Sequence, residues 1–490
     1  MEADDQNPKR MTQTLTLSDF PDRLSPMVVK ELRQGMRTRA FAIVMLTLHL
    51  VLVLLTLLGG GGGNSEIAHA WFDGIVTLVL CIILPLRGFS AVADEIRAGT
   101  LDMLALTRLS PWRIVFGKWL SIAAQSLLIA LSILPYVVAR YVHGGLDLFG
   151  EMLALGGKTL AGLVLAAFIV ALSTQRNFWL RLLVVGLPML MGGCGMMSYM
   201  MMSRVGGMSP GTRLSISGSF SAFTADGVTG VLLVLAYAVW AVFYFLSLAA
   251  TRIAPAASLL SVPKRLVHLA ALAVACVIGW SQGNAMAAGG LIGFIMLDVL
   301  TEPVNTVPSV YAAFYRRGLP GRLGMWLLAP GWVTGFLFTV LLTAGTAALA
   351  FSTGGPELAM LVFITACGTW MVAALVQLLP RARQGADLFP AFLLWWVVLS
   401  VLLSWLGGLL VMQSTMTSTT PWFTCALPQM VPLGHAIAQA ADKAAFLRMA
   451  TLAALVWPLV LLVPAAFAWR RAREARREAR MMTRPGGTEA

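Results

Sequence analysis

The sequence predicts an all-α integral membrane protein of about 12 transmembrane helices in two six-helix halves, preceded by an N-terminal interfacial helix. Three observations carry that expectation. Of the 490 residues, 58% are hydrophobic and 12% charged, with a mean hydropathy of +0.80; soluble domains are about 45–50% apolar and about 25% charged. Several runs approach or exceed the ~20 apolar residues that cross a bilayer as a helix. Short alternating strands are not evident, which argues against an outer-membrane barrel. A net charge of +13 raises nucleic acid as a partner, but the cations lie mostly in short connections beside the apolar runs. That is the pattern of Lys and Arg retained on the cytoplasmic side, so no nucleic acid is expected.

Residues 1–24 are polar with no apolar core, which reads as a disordered cytoplasmic tail rather than a cleaved signal. The first span then serves as the insertion signal. Ser25-Pro26 opens a helix over 25–38, with Val29, Leu32 and Met36 on one stripe. Lys30, Glu31, Arg33, Gln34 and Arg37 oppose them, which suits a helix lying in the membrane interface. Spans are expected at 40–58, 71–90, 119–139, 152–173, 179–200 and 228–251 in the first half, 39–251. The second half, 252–469, is expected to add 266–281, 284–300, 331–352, 358–379, 388–412 and 446–469.

With both termini inside, 29 of the 35 Lys and Arg are cytoplasmic; Arg140, Lys158, Arg204, Arg213, Lys443 and Arg448 are left outside. Each half has a long cytoplasmic loop after its second span, 91–118 and 301–330, and a long external segment, 201–227 and 413–445. That layout suggests a duplicated unit. The chain closes on a basic cytoplasmic tail, 470–490, suited to anionic membrane lipids or to holding the last span in place.

The stretch from Asp94 to Trp119 is the most structured of the connections. Gly99 breaks one short helix, Thr100 can cap the next, and Asp102 sits in that helix's first turn, where the dipole favours an anion. Leu101, Leu104 and Ala105 share a face; Asp102, Thr107 and Arg108 turn away. Ser110-Pro111 restarts a helix, and Trp112, Arg113 and Lys118 are expected to anchor it at the membrane surface. Such a knob between two spans is either a dock for a soluble partner or an ordinary solvated loop.

Chemistry-bearing motifs are scarce, and no enzyme activity is expected. Gly157-Lys158-Thr159 lacks the glycine five positions earlier, where Met152 stands, so no phosphate-binding loop forms. Cys81, Cys194, Cys276, Cys367 and Cys425 are scattered singly and give neither a disulfide framework nor a metal site. His49, in mid-span, and Gln125, in the third span, are candidates for a polar path; packing roles compete with that reading. Asp73 and Asp298 lie near span ends, where water is expected to reach them. The methionine run at 196–202 is either packing, an adaptable contact surface or a thioether cluster.

The pairing of SPMVVKELRQGMRTR before the first span with DEIRAGTLDMLALTRLSPWRIVFGK after the second resembles the permeases of type-2 ATP-binding-cassette (ABC) transporters. In that family an interfacial elbow helix precedes the first span, and an acidic pair followed by Gly-Thr-Leu-Glu and a leucine-rich segment forms the coupling region. Asp94-Glu95, Gly99-Thr100-Leu101, Leu104, Leu106, Leu109-Ser110 and Gly117-Lys118 fall on that pattern, with Asp102 in place of the glutamate. The resemblance covers about residues 25–140 and beyond 260 rests on topology alone.

It implies a membrane subunit, usually of an exporter, in the bacterial cytoplasmic membrane. Separate cytoplasmic ATPases bind the ATP–Mg, and this chain binds no cofactor itself. The coupling residues implied are Asp94, Glu95, Gly99, Thr100, Leu101, Asp102, Leu104 and Leu106; those of the elbow are Lys30, Glu31, Leu32, Arg33 and Arg37. One chain with two halves, or a homodimer of it, forms the permease. Two other classes stay open: an ion- or proton-coupled secondary transporter and a non-transporting membrane scaffold.

Overall fold

A computed structural model of the chain describes residues 26–59, 65–99, 110–142, 147–175, 228–255, 257–278, 295–378, 391–399 and 442–483, with shorter stretches between them. All of its regular structure is helical. The principal helices are α1 (Pro26–Met36), α2 (Arg39–Gly59), α3 (Ser65–Leu78), α4 (Ala93–Ala98), α5 (Pro111–Val142), α6 (Leu148–Ser173) and α7 (Val228–Ile253). The chain continues with α8 (Ser261–Ile278), α9 (Pro308–Tyr315), α10 (Gly318–Leu328), α11 (Trp332–Gln377), α12 (Lys443–Ala454) and α13 (Val456–Met482).

Among the described residues, eight helical stretches are long and apolar enough to cross a membrane: 39–58, 68–98, 111–142, 148–173, 230–253, 332–352, 355–377 and 443–482. The chain is therefore a multi-pass α-helical membrane protein. These eight coincide with eight of the twelve expected spans. The other four, 179–200, 266–281, 284–300 and 388–412, run partly outside the described residues, although α8 covers most of the seventh. The tail 1–24, the coupling residues Thr100, Leu101, Asp102, Leu104 and Leu106, and the methionine run at 196–202 also lie outside them.

Local chemistry explains the helix ends. Pro111 occupies the first position of α5, with the Arg113 amide donating to the Ser110 carbonyl at 2.9 Å. Asp147 caps α6, its carboxylate accepting from the amides of Phe149 and Gly150. The second span is not uniform. After α3 it widens into a π-helical turn at Val79–Ile83, passes Pro85 and tightens to a 3₁₀ turn at Arg87–Ser90 before α4. Proline cannot donate to the helix ladder, so a widened turn beside it is a common accommodation. Gly162 of α6 crosses that turn so closely that a Cβ there would come within 2.3 Å of the Leu80 carbonyl oxygen. Small residues of this kind set helix approach in membranes, where lipid is as apolar as the packed side chains. Two spans are merged within α11 and separate at Gly355 (φ 76°) and Pro356, a kink that glycine tolerates.

One apolar core joins α5, α6 and α7 to residues 295–300, α11, α12 and α13, through Val170, Tyr244, Leu297, Trp370 and Phe446. A second, with Leu52, Phe72, Leu80 and Ile133, ties α2 and α3 to α5 and α6. A third packs α9 and α10 against the extended end of α13, with Tyr311, Phe314, Met325, Ala475 and Ala479. The last span thus runs straight into the cationic tail as one helix.

Two of the six cations expected outside are neutralised where they stand. Lys158 pairs with Asp73, and Arg140 lies 3.2 Å from Glu151 with His69 beside it. Asp298, expected to meet water, is only 1% exposed and contacts Lys264 at 2.6 Å. The sequence reading missed this because the partner lies on another helix.

Candidate coupling junction

The expected coupling segment enters through α4. Its acidic residues Asp94 and Glu95 occupy the first turn, where the helix dipole favours them. Gly99 ends it with φ 67°, a left-handed conformation suited to glycine, and its amide donates back to the Ile96 carbonyl. The acidic pair is divided in role. Asp94 reaches Arg97 at 3.3 Å with both side chains more than 60% exposed, so the pair contributes at most ~1 kcal/mol. Glu95 turns inward and meets Lys118 of α5 at 2.8 Å.

Lys118 organises the junction. Its side chain is 6% exposed, and its ammonium also lies 3.1 Å from Glu31 of α1. The lysine is therefore not the membrane-surface anchor its sequence context suggests. It is buried, and two carboxylates from two other elements pair with it. Glu31 and Glu95 retain about a fifth of their exposure each, so water still reaches this cluster from the rim.

A second polar knot lies deeper along the same helices. Arg87, at the 3₁₀ turn of the second span, donates to the Gly35 carbonyl at 3.1 Å and to Thr38 Oγ1 at 2.9 Å. Its other nitrogen donates to Gln125 Oε1, and its guanidinium lies over the Phe41 ring. Gly35 lets the Gln125 amide approach the α1 backbone; a Cβ there would displace that side chain from its place beside Arg87. The face of α1 turned to α5 thus includes Glu31 and Gly35; of the apolar stripe, Val29 and Leu32 are half-buried and Met36 is 36% exposed. Lys30 and Arg37 are exposed, and Arg33 is partly buried.

Both polar-path candidates have partners on other elements. Gln125 is 2% exposed and fastens α5 to Arg87 and α1. His49 Nδ1 lies 3.1 Å from the Tyr136 hydroxyl, with the two rings stacked 5.5 Å apart.

A comparable junction, missed by the sequence reading, sits where α8 begins, residues 295–302 end and α11 begins. Lys264 contacts Asp298 at 2.6 Å and Glu302 at 2.8 Å. Arg265, fully buried, pairs with Glu302 and donates to the carbonyls of Leu327 and Gly331 and to Thr334 Oγ1. Glu302 in turn accepts from the Gly331 amide. Burial pushes the Glu302 carboxyl up, but Arg265 and Lys264 outweigh it and hold it down at about 2. The signal was present: a Lys-Arg pair opening one apolar run and two acids four residues apart closing the next. Buried ionisable groups of opposite sign call for partners.

The chain matches no protein-family model, no curated protein and no solved structure.

Proposed function

We propose that the chain is the membrane-spanning permease subunit of an ATP-driven ABC transporter, an exporter of the type-2 class, in the bacterial cytoplasmic membrane. In this reading both termini are cytoplasmic, α1 is the elbow helix, and separate ATP-binding subunits carry the ATP–Mg. Two six-span units on one chain supply both permease halves. Support comes from the Asp94–Lys118 motif and from one observation above all: Lys118 holds Glu31 of α1 and Glu95 of α4 at once.

The mechanism follows from that geometry. ATP closes the partner subunits, and the segment 100–109, seated on one of them, moves with it. Displacement of α4 reaches α5 through Glu95–Lys118 and reaches α1 through Lys118–Glu31. Arg87 keeps the end of the second span tied to the residues just before the first. The second, third and first spans therefore shift together between inward- and outward-open forms. A useful shift in population needs the partner to favour one form by a few kcal/mol, about 5.5 for a full reversal. An apolar groove of 440 Å³ between α5, α6 and α7, with Thr159 its one polar side chain, favours a lipid-like or otherwise amphipathic cargo.

The test is co-purification with an ATP-binding subunit followed by ATP-dependent substrate movement in vesicles. The Asp94→Ala/Glu95→Ala/Leu104→Arg variant is expected to retain the folded chain and lose coupled transport. Normal transport by that variant refutes the proposal. One observation favours a second reading, an ion-coupled secondary transporter: the buried carboxylate of Asp298. That reading predicts that transport persists without ATP and that Asp298→Asn abolishes its ion dependence.

A further inference from the structure

Helix α10 carries apolar residues on two opposite faces. One face, with Gly321, Met325 and Leu328, packs onto the protein; a Cβ at Gly321 would meet the Phe314 carbonyl oxygen at 2.0 Å, so α10 lies hard against α9. The other presents Leu319 and Leu323, each 72% exposed, and Trp326, 46% exposed. Their spacing of four and then three residues aligns them in one outward stripe. Arg316, Arg317 and Arg322 flank the stripe, all exposed and, among the described residues, without an ion pair.

The level of this stripe is set by tryptophan. Trp326 stacks on Trp469 with ring centroids 4.6 Å apart and 24° between planes. Trp469 closes the apolar part of α13, and the cationic run starts at the next residue, Arg470. Tryptophan at such a boundary marks the headgroup layer. Helix α11, a membrane span, begins at Trp332, four residues beyond the end of α10. The stripe is thus held level with the edge of the bilayer, with cations from two helices around it.

We infer that α10 is a second interfacial helix, whose outward stripe inserts into the cytoplasmic leaflet while Arg316, Arg317 and Arg322 bind the headgroups of anionic phospholipid. A soluble partner fits less well, because the exposed apolar side chains adjoin the spans, and the surrounding charge complements an anionic surface. The inference requires that the chain spans a membrane, takes its leaflet from the orientation proposed above, and is independent of any ATPase.

Photo-crosslinking tests it on the full chain. p-Benzoylphenylalanine replaces Leu319 or Leu323, and separately Leu337, which is outward-facing on α11, as a lipid-exposed control. The purified protein is irradiated in phosphatidylcholine–phosphatidylglycerol vesicles and adducts are identified by mass. Phospholipid adducts are expected at 319 and 323 as at 337, with phosphatidylglycerol enriched several-fold over its bulk share. The Arg316→Gln/Arg317→Gln/Arg322→Gln variant is expected to return that enrichment to the bulk ratio. Lipid adducts at 337 but none at 319 or 323 overturn the inference. So does a protein adduct at 319 or 323, without lipid, in native membranes. Enrichment that survives the triple substitution overturns the headgroup assignment.

Discussion

The two charged junctions do the same topological job in different surroundings. Each joins a helix that opens a run of spans, the end of a following span and the start of the next. In the first, Lys118 is buried but Glu31 and Glu95 keep about a fifth of their surface in water. In the second, Lys264, Arg265 and Asp298 are at most 2% exposed, and Glu302 is 11% exposed. A charge that water can still reach can exchange partners at modest cost; one sealed from water cannot leave its partner without a large desolvation penalty. The first junction is therefore suited to a joint, the second to an anchor.

The largest effect is expected at the anchor. Arg265→Met leaves Glu302 with Lys264 as its remaining cationic partner and takes the donor from the Leu327 carbonyl; it is expected to cost ~3–5 kcal/mol, the range for breaking a buried pair, read as a lowered melting temperature in detergent. Replacing all four groups together (Lys264→Met, Arg265→Met, Asp298→Asn, Glu302→Gln) is expected to recover much of that loss. At the joint, Lys118→Met is expected to cost about half as much, because Glu31 and Glu95 can rehydrate. Its distinguishing readout is uncoupling: partner ATPase turnover continues while substrate movement falls. Equal destabilisation at the two sites would erase the comparison.

Smaller effects sharpen it. Gly35→Ala pushes a methyl into Gln125 and is expected to cost ~1–3 kcal/mol, relieved by Gln125→Ala in the double variant. Acid separates the junctions as well. The Glu302 carboxyl is held down at about 2, so its stabilisation is complete above its unfolded value of about 4.3. It is lost as pH falls from there toward 2. Melting temperature against pH is expected to show that acid decline, diminished in Glu302→Gln. Asp94→Asn, last in size, is expected to change stability by less than ~1 kcal/mol; a coupling defect at unchanged stability would show that Asp94 acts on a partner.

Local signals made much of the fold legible. Ser25-Pro26 and Ser110-Pro111 placed the starts of α1 and α5, Gly99 placed the end of α4, and long apolar runs placed eight spans. What stayed hidden depends on partners far along the chain. Lys118 meets Glu31 across 87 positions, and Arg87 meets Gln125 across 38. Periodicity cannot report such pairings, because a lysine beside tryptophan looks the same in sequence whether it snorkels to lipid or pairs inside. Asp298 was misjudged for the same reason: its distance from a span end is readable, its burial is not. The glycines are instructive too: at Gly162 a neighbouring backbone leaves no room for a methyl, and at Gly35 the Gln125 side chain occupies the space.

The widened turn at Val79–Ile83 acts as a phase shifter. An α-helix advances ~100° per residue, so one surplus residue there rotates everything that follows by about that angle relative to the outer half of the span. Arg87, four residues beyond it, faces Gly35 and Thr38. Excising a single residue from the turn would leave an ordinary, straighter helix that aims the guanidinium elsewhere, releasing one of the ties on α1 and leaving it held by Glu31 and Lys118.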